Sequence, residues 1–338
     1  MLRKIEQIDK ARVGRWFGRF TTVLSGAHLL TLVALPLLFK LFQERFWLLI
    51  LFRWAPPLCY LALWLTVAGI DLAVRRRNAL PVALLSGLLT LGLYSGLCLP
   101  YPSTSKGEFK VLTYNIRAGL GGPEAIGKAL AAYQADVIAL QETRPPHVEE
   151  PIDPYQPVMQ QLPGYNSFRG GRKGELVLAT PHKIVRTGEH TLNQWSGALE
   201  IVLEMPNQQT LRVLNVHCVM GNPRGLTPRG LEKSARARHE QARALVELIR
   251  KENLPTLLLG DFNSPPGSVL HQILLTEMQD SFQSEGLGFG WTYPEKHPLL
   301  RIDQIWYRGL KPTKCRSSDP ELSDHLLLWA EFAWPGNS

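Results

Sequence analysis

The sequence predicts an α/β domain behind a hydrophobic membrane unit, and three observations carry that prediction. Charge is divided along the chain: of 37 Lys/Arg and 29 Asp/Glu in 338 residues, the first hundred hold 12 and 4, and the rest hold 25 of each. Three long apolar stretches crowd into those first hundred residues, and beyond them short strand-like runs alternate with helix-like ones to the C-terminus. The net charge of +8 therefore belongs to the N-terminal hundred residues, and a basic chain does not by itself indicate a nucleic-acid binder. An apolar fraction of 45%, with 28 Gly and 25 Pro scattered without period, excludes disorder and a collagen-like chain.

The first apolar stretch, Phe20 to Phe39, is twenty residues without formal charge, the length a helix needs to cross about 30 Å of hydrocarbon. The second, Phe46 to Ile70, contains Arg53 and Pro56-Pro57, so its crossing part is expected at Trp54 to Val74, with Phe46–Phe52 at the interface. The third, Ala79 to Leu99, is uncharged and closed by Pro100 and Pro102. Three transmembrane helices are the simplest count. Arg3, Lys4, Lys10, Arg12, Arg15 and Arg19 in the tail, with Arg75, Arg76 and Arg77 in the second connection, outnumber Lys40, Arg45 and Arg53 in the first. The positive-inside rule then places residues 1–19 in the cytoplasm and everything beyond Pro100 outside it. The expected location is a multi-pass bacterial inner membrane protein with a periplasmic domain. A cleaved signal peptide competes for the first stretch, but twenty apolar residues exceed the usual apolar core, of about 7–15.

The expected organisation is a basic tail (1–19), a transmembrane unit (20–100), a linker (101–108) and one α/β domain (109–338). Strands are predicted at Phe109–Tyr114, Asp136–Leu140, Leu176–Ala179, Ala198–Leu203, Leu211–Val216, Thr256–Leu259, Ile302–Trp306 and Leu326–Trp329. Helices are predicted at Glu124–Tyr133 and from about Gly230 to Lys251, where Ala235, Ala242, Leu245, Val246 and Ile249 recur at helical spacing. Cys218 and Cys315 lack zinc-site spacing; an oxidising compartment allows a disulfide between them, against the plainer reading of two buried free thiols.

Polar residues stand where several of these strands end: Asn115 after VLTY, Glu142 after IALQ, Asn215 and His217 in VLNVH, Asp261 and Asn263 in LLLGDFN, Asp303 in RIDQIW, and Asp324 and His325 in LSDH. Functional residues of α/β sheets collect where strands hand over to loops. One such residue means little, since Asp, Asn and Ser also serve turns and caps.

The ordered set TYN, QE, NVH, GDFN, RIDQI and SDH resembles the endonuclease/exonuclease/phosphatase superfamily, over roughly Phe109 to Phe332. The resemblance implies a four-layer α/β sandwich, two packed mixed sheets flanked by helices, and metal-assisted in-line attack of water on a phosphoester. It assigns the metal, Mg²⁺ with Mn²⁺ as the alternative, to Glu142, Asn115 and Asp324. It assigns catalysis to His325, Asp261, His217, Asp303 and Asn263, with Asp303 or Asp324 expected to orient His325 and Asp303 preferred. Asn263, Asn215, Arg224 and Arg229 are expected to hold phosphate. Asp261 and Asn263 are expected to share a face through strand alternation about Phe262.

Glu175 could pair with His217 but reads first as a solvated strand-edge acid, and the Arg-rich helix as an amphipathic helix with a solvated face. Phe289, Trp291 and Tyr293 read as loop aromatics that either stack on a ligand or close over a core. Substrate stays open between nucleic acid and a phospholipid headgroup, and no protein partner is indicated. The competing function is a non-catalytic membrane module that keeps the fold for binding, which has no need of a complete acid, amide and imidazole set.

Overall fold

The computed structural model describes residues 2–74, 80–99, 106–144, 153–218 and 227–336, with side chains from residue 16 onward. Arg75–Arg77, Pro100, Pro102 and Arg224 lie outside the described residues. The chain divides into two compact units, Met1–Leu97 and Cys98–Ser338.

The first unit is helical. Helix α1 (Leu2–Phe42) contains a 27-residue apolar segment, Trp16–Phe42, long enough to cross a membrane. Helices α2 (Trp47–Trp54) and α3 (Pro57–Ala73) are separate and bent by 88°, because Pro56-Pro57 cannot continue the hydrogen-bond ladder. The third stretch forms only α4 (Leu80–Leu89) and a π-helical turn, Thr90–Tyr94. Those fifteen residues reach about 22 Å, short of the hydrocarbon thickness. The expectation of three transmembrane helices is therefore corrected to one helix that is long and apolar enough among the described residues. Buried Asp71 of α3 accepts a hydrogen bond from Ser25 Oγ of α1 at 2.6 Å, so this acid inside an apolar helical unit has a partner.

The second unit holds two six-stranded mixed sheets. The first comprises β1 (Phe109–Asn115), β2 (Val137–Gln141), β3 (Asn166–Gly170), β4 (Leu176–Thr180), β11 (Lys311–Ser318) and β12 (Leu327–Ala333), in the order β11-β12-β1-β2-β4-β3. The second comprises β5 (Lys183–Thr191), β6 (Gly197–Glu204), β7 (Thr210–His217), β8 (Thr256–Asp261), β9 (Gln279–Asp280) and β10 (Asp303–Arg308), in the order β5-β6-β7-β8-β10-β9. One parallel pair sits inside each sheet, β1 with β2 and β7 with β8; the other pairs are antiparallel.

Alternation sorts the strand residues into three apolar layers. Val111, Val137, Ala139, Ile201, Val213, Leu257, Ile305 and Leu328 meet between the sheets. Helix α7 (Pro228–Arg250), capped by Thr227 Oγ1 accepting from Gly230 N, and α8 (Val269–Leu274) cover the outer face of the second sheet. The predicted apolar face of α7 is the buried one: Ala235, Ala242, Leu245, Val246 and Ile249 all pack inward. Helices α5 (Pro123–Ala132) and α6 (Tyr155–Gln160) cover the first sheet, with Ile126, Leu130 and Val158 buried against Leu112, Ile138 and Leu140. A short α9 (Ser281–Glu285) follows β9. Helices, sheet, sheet and helices make the expected sandwich. Cys218 lies in the layer beneath α7 and Cys315 between the sheets; both are free and buried, and the disulfide alternative falls.

Candidate active site

Both parallel pairs end at the same side of the sandwich, which is why one cluster draws on both sheets. Asn115 closes β1, and its Nδ2 donates to Glu142 Oε1 at 2.9 Å and to Asp261 Oδ2 at 3.0 Å. The amide thus ties the acid after β2 to the acid that closes β8. Asp261 is 1% exposed and also accepts from Asn263 N at 2.8 Å. Its neighbour Gly260 has φ +145°, and a Cβ there would come within 2.0 Å of Val216 O; only glycine lets β8 approach β7 at that point.

Asp303 opens β10 as the register partner of Asp261. Its Oδ2 lies 2.9 Å from His325 Nδ1, while His325 Nε2 lies 3.8 Å from Asp261 Oδ2. Ser323 holds the approach to His325: its Oγ donates to Asn115 O at 2.7 Å and accepts from His325 N. The Tyr293 ring covers the imidazole at 4.9 Å, so one member of the aromatic loop belongs to the site; Phe289 and Trp291 stack on each other at 4.5 Å. On the other flank, His217 Nε2 lies 3.7 Å from both Glu142 Oε1 and Asp261 Oδ2, and its Nδ1 lies 3.5 Å from Glu175 Oε2.

Two groups of donor atoms result, each mutually within 4.8 Å: Glu142, His217 and Asp261, and then Asp261, Asp303 and His325. Asp261 belongs to both. Burial and the negative charge of Asp303 raise its carboxyl above the usual range, offset in part by the two histidines. Burial alone would lower His325, but Asp303 and Asp261 outweigh it and raise the imidazole to about 10. In the same way Glu175, Asp261 and Glu142 overcome burial and raise His217 to about 9. Both rings are thus imidazolium at neutral pH in this arrangement, above the ordinary histidine range.

Backbone conformation marks the same place. Arg117, Ala118, Glu142, Lys173 and Asn263 all adopt left-handed φ between 44° and 59° in the loops beside these strand ends.

Four expectations are corrected by the geometry. Asn263 stands beyond the end of β8 with φ 45°, so a turn and not strand alternation brings it back to Asp261; its Nδ2 donates to Cys218 O and Asp261 Oδ2. Asn215 is wholly buried: its Nδ2 donates to Leu140 O and Val177 O, both at 2.9 Å, and its Oδ1 accepts from Gln141 Nε2. It ties the second sheet to the first and has no surface left for phosphate. Asp324 stays outside the donor groups, with its carboxylate 3.5 Å from Arg117 Nε at the rim. Glu175, read as solvated, is mostly buried against His217; the only signal for it was its place just before the apolar run of β4. Arg229 is exposed in the first turn of α7.

A two-sheet α/β sandwich whose strand ends converge carboxylates, an amide and two imidazoles defines the phosphoesterase and nuclease class. The chain belongs to the Endonuclease/Exonuclease/phosphatase family, whose profile matches residues 112–325. It is similar to Exodeoxyribonuclease III of Haemophilus influenzae, 27% identical over 215 residues that cover 60% of this chain and 71% of that one. In fold it is similar to a mannosyl-6-phosphatase of Bacteroides thetaiotaomicron (TM-score 0.55, 17% identity, 67% of this chain and 100% of that one). It is also similar to a Neisseria 3′ phosphatase bound to product DNA (TM-score 0.51, 20% identity, 67% and 100%).

Proposed function

We propose that the C-terminal domain hydrolyses a phosphodiester by metal-assisted in-line attack of water. The observation that carries this reading is the placement of Asn115 between Glu142 and Asp261, with an imidazolium on either side. The carboxylate oxygens of Glu142 and Asp261 suit a divalent cation such as Mg²⁺, with Mn²⁺ as the alternative; Asn115, whose Nδ2 donates to both and whose Oδ1 accepts from Arg117 N, would position them, and the buried, unpartnered Oδ1 of Asp303 adds negative charge nearby. When bound, the ion supplies Lewis-acid polarisation of a phosphoryl oxygen. Asp261, with its raised carboxyl and three hydrogen-bond donors fixing it, is placed to take the proton from the attacking water. His325, oriented by Asp303, donates to the charge that builds on the phosphoryl oxygens. His217, held by Glu175, gives its proton to the departing oxygen as the phosphorus–oxygen bond breaks. Arg229 and, by its place in the sequence, Arg224 would add charge for phosphate.

The same proposal tethers the domain to the membrane through Trp16–Phe42. Five basic residues precede that segment and Arg19 lies in its first turn, so the positive-inside rule keeps the tail in the cytoplasm and a single crossing carries the domain out of it. The test is hydrolysis of bis(4-nitrophenyl) phosphate by the full chain in detergent, with and without Mg²⁺. Asp261→Asn is expected to lower turnover by about 10²–10⁴-fold; turnover equal to that of the unaltered chain sinks the assignment. A C-terminal reporter that is active only in the cytoplasm must stay silent.

A further inference from the structure

Beside His217 the open edge of the second sheet forms a cavity of about 320 Å³, lined by Gly171, Arg172, Glu189, Asn193, Gln194 and Trp195 among others. Its position follows from the strand register. Thr191 pairs with Gly197, and the next residue, Ala198, pairs with Val216, the neighbour of His217. From the first sheet, Arg172 stands three residues before Glu175, whose carboxylate faces the same histidine. The cavity therefore opens next to the place where the departing oxygen would lie.

We propose that the cavity lined by Trp195 and Arg172 is the subsite that receives a base of a nucleic-acid substrate, beside the scissile phosphate. This rests on the phosphodiesterase reading above and names its substrate class. Trp195 is 45% exposed, an unusual cost for an indole unless something covers it. The Arg172 guanidinium stands 5.5 Å from the ring centroid, closer than a ring between them would need, so the base stacks on the part of the indole that the guanidinium leaves open, with the cation beside it. The amide of Gln194 and the carboxylate of Glu189, whose Oε2 also accepts from Gly171 N, line the cavity with the donors and acceptors that base edges use. Its volume is at the lower end for a small-ligand site, which suits one ring system.

A quaternary ammonium headgroup also favours a tryptophan face, but a guanidinium already stands over this one and repels a second cation. Exposed cations stand in the loops after the same strand ends, Arg117, Arg144 and Lys173, and in the first turn of α7, Arg229. They give a domain of zero formal charge a basic rim at the site mouth, where a polyanion would run.

The hairpin turn does not depend on the indole, because Asn193 Oδ1 accepts from the backbone N–H of Trp195 and Ser196. Trp195→Ala is therefore a fair test. Binding of a fluorescein-labelled octathymidylate to the full chain in detergent micelles, with chelator and no metal, is read by anisotropy. Trp195→Ala is expected to weaken binding about 10-fold or more, given about 1–3 kcal/mol per stacked base, while Trp195→Phe stays within about 3-fold. Arg172→Ala is expected to weaken binding and make it less dependent on salt. Unchanged affinity in Trp195→Ala, no oligonucleotide binding by the unaltered chain, or a loss confined to phosphatidylcholine vesicles overturns the subsite. Because the measurement needs no turnover, a chain that binds through Trp195 but hydrolyses no diester defeats the catalytic reading and leaves the subsite standing.

Discussion

Asp261 and Asp303 face each other as register partners on β8 and β10, and His325 bridges them, with Nδ1 2.9 Å from Asp303 and Nε2 3.8 Å from Asp261. An imidazole between two buried carboxylates is fixed in orientation and stays charged. Asp303→Asn keeps the shape but removes the charge. Turnover is expected to fall by about 10²–10⁴-fold, as when a catalytic histidine loses its orienting acid. NMR of the metal-free protein checks the cause: His325 should titrate near 10 in the unaltered chain and well below that in Asp303→Asn. A histidine that titrates unchanged in the variant would place its charge under other control.

Metal removal gives a second readout. If Glu142 and Asp261, positioned by Asn115, hold the ion, it binds only the folded chain and stabilises it by about 2.7 kcal/mol at a hundredfold excess over its Kd. For a domain of this size that is roughly 5–11 °C in Tm. Glu142→Gln is expected to abolish most of the Mg²⁺-dependent shift. Equal shifts in both proteins would move the ion elsewhere.

The sequence made the central strands legible and hid the edges. β1, β2, β4, β6, β7, β8, β10 and β12 carry continuous apolar runs because both faces are covered. The four strands it did not reveal, β3, β5, β9 and β11, are the two edges of each sheet. Lys183–Thr191 alternates exposed and half-exposed residues with no apolar run, since an edge covered on one side needs none. In the site, residues whose role depends on a strand end (Asn115, Glu142, His217, Asp261, Asp303, His325) could be placed from the pattern. Glu175 and Asn215 could not, because their partners lie in the opposite sheet, and only tertiary packing decides whether an amide faces a ligand or a carbonyl.

Asn215 gives the third prediction. Its Nδ2 satisfies Leu140 O and Val177 O across the sheet interface, and its Oδ1 satisfies Gln141. Asn215→Ala leaves buried polar groups unpaired at about 1–3 kcal/mol each, so unfolding in urea should show a loss of about 2–4 kcal/mol. KM of the folded protein should stay within about twofold. A raised KM with undiminished stability would restore the phosphate-binding role.

The side chain of Asp280 bonds to Arg301, His271 and the start of α9, none of them a site residue, and so tests the fold. Burial opposes its ionisation, but Arg301, at 2.9 Å from Oδ1 and 2.7 Å from Oδ2, and His271, at 3.1 Å, more than offset that and hold its carboxyl well below the usual range. Oδ1 also accepts from Phe282 N and Gln283 N, capping α9. A depressed folded-state pKa stabilises the protein above the unfolded value of about 3.9, and the contribution is lost as pH falls below it. Asp280→Asn leaves Arg301 buried without its counter-charge and should cost about 3–5 kcal/mol at pH 7. The gap between the two proteins in urea unfolding should narrow steadily from about pH 4 to pH 2, and a gap independent of pH would mean that Asp280 acts only through its cap.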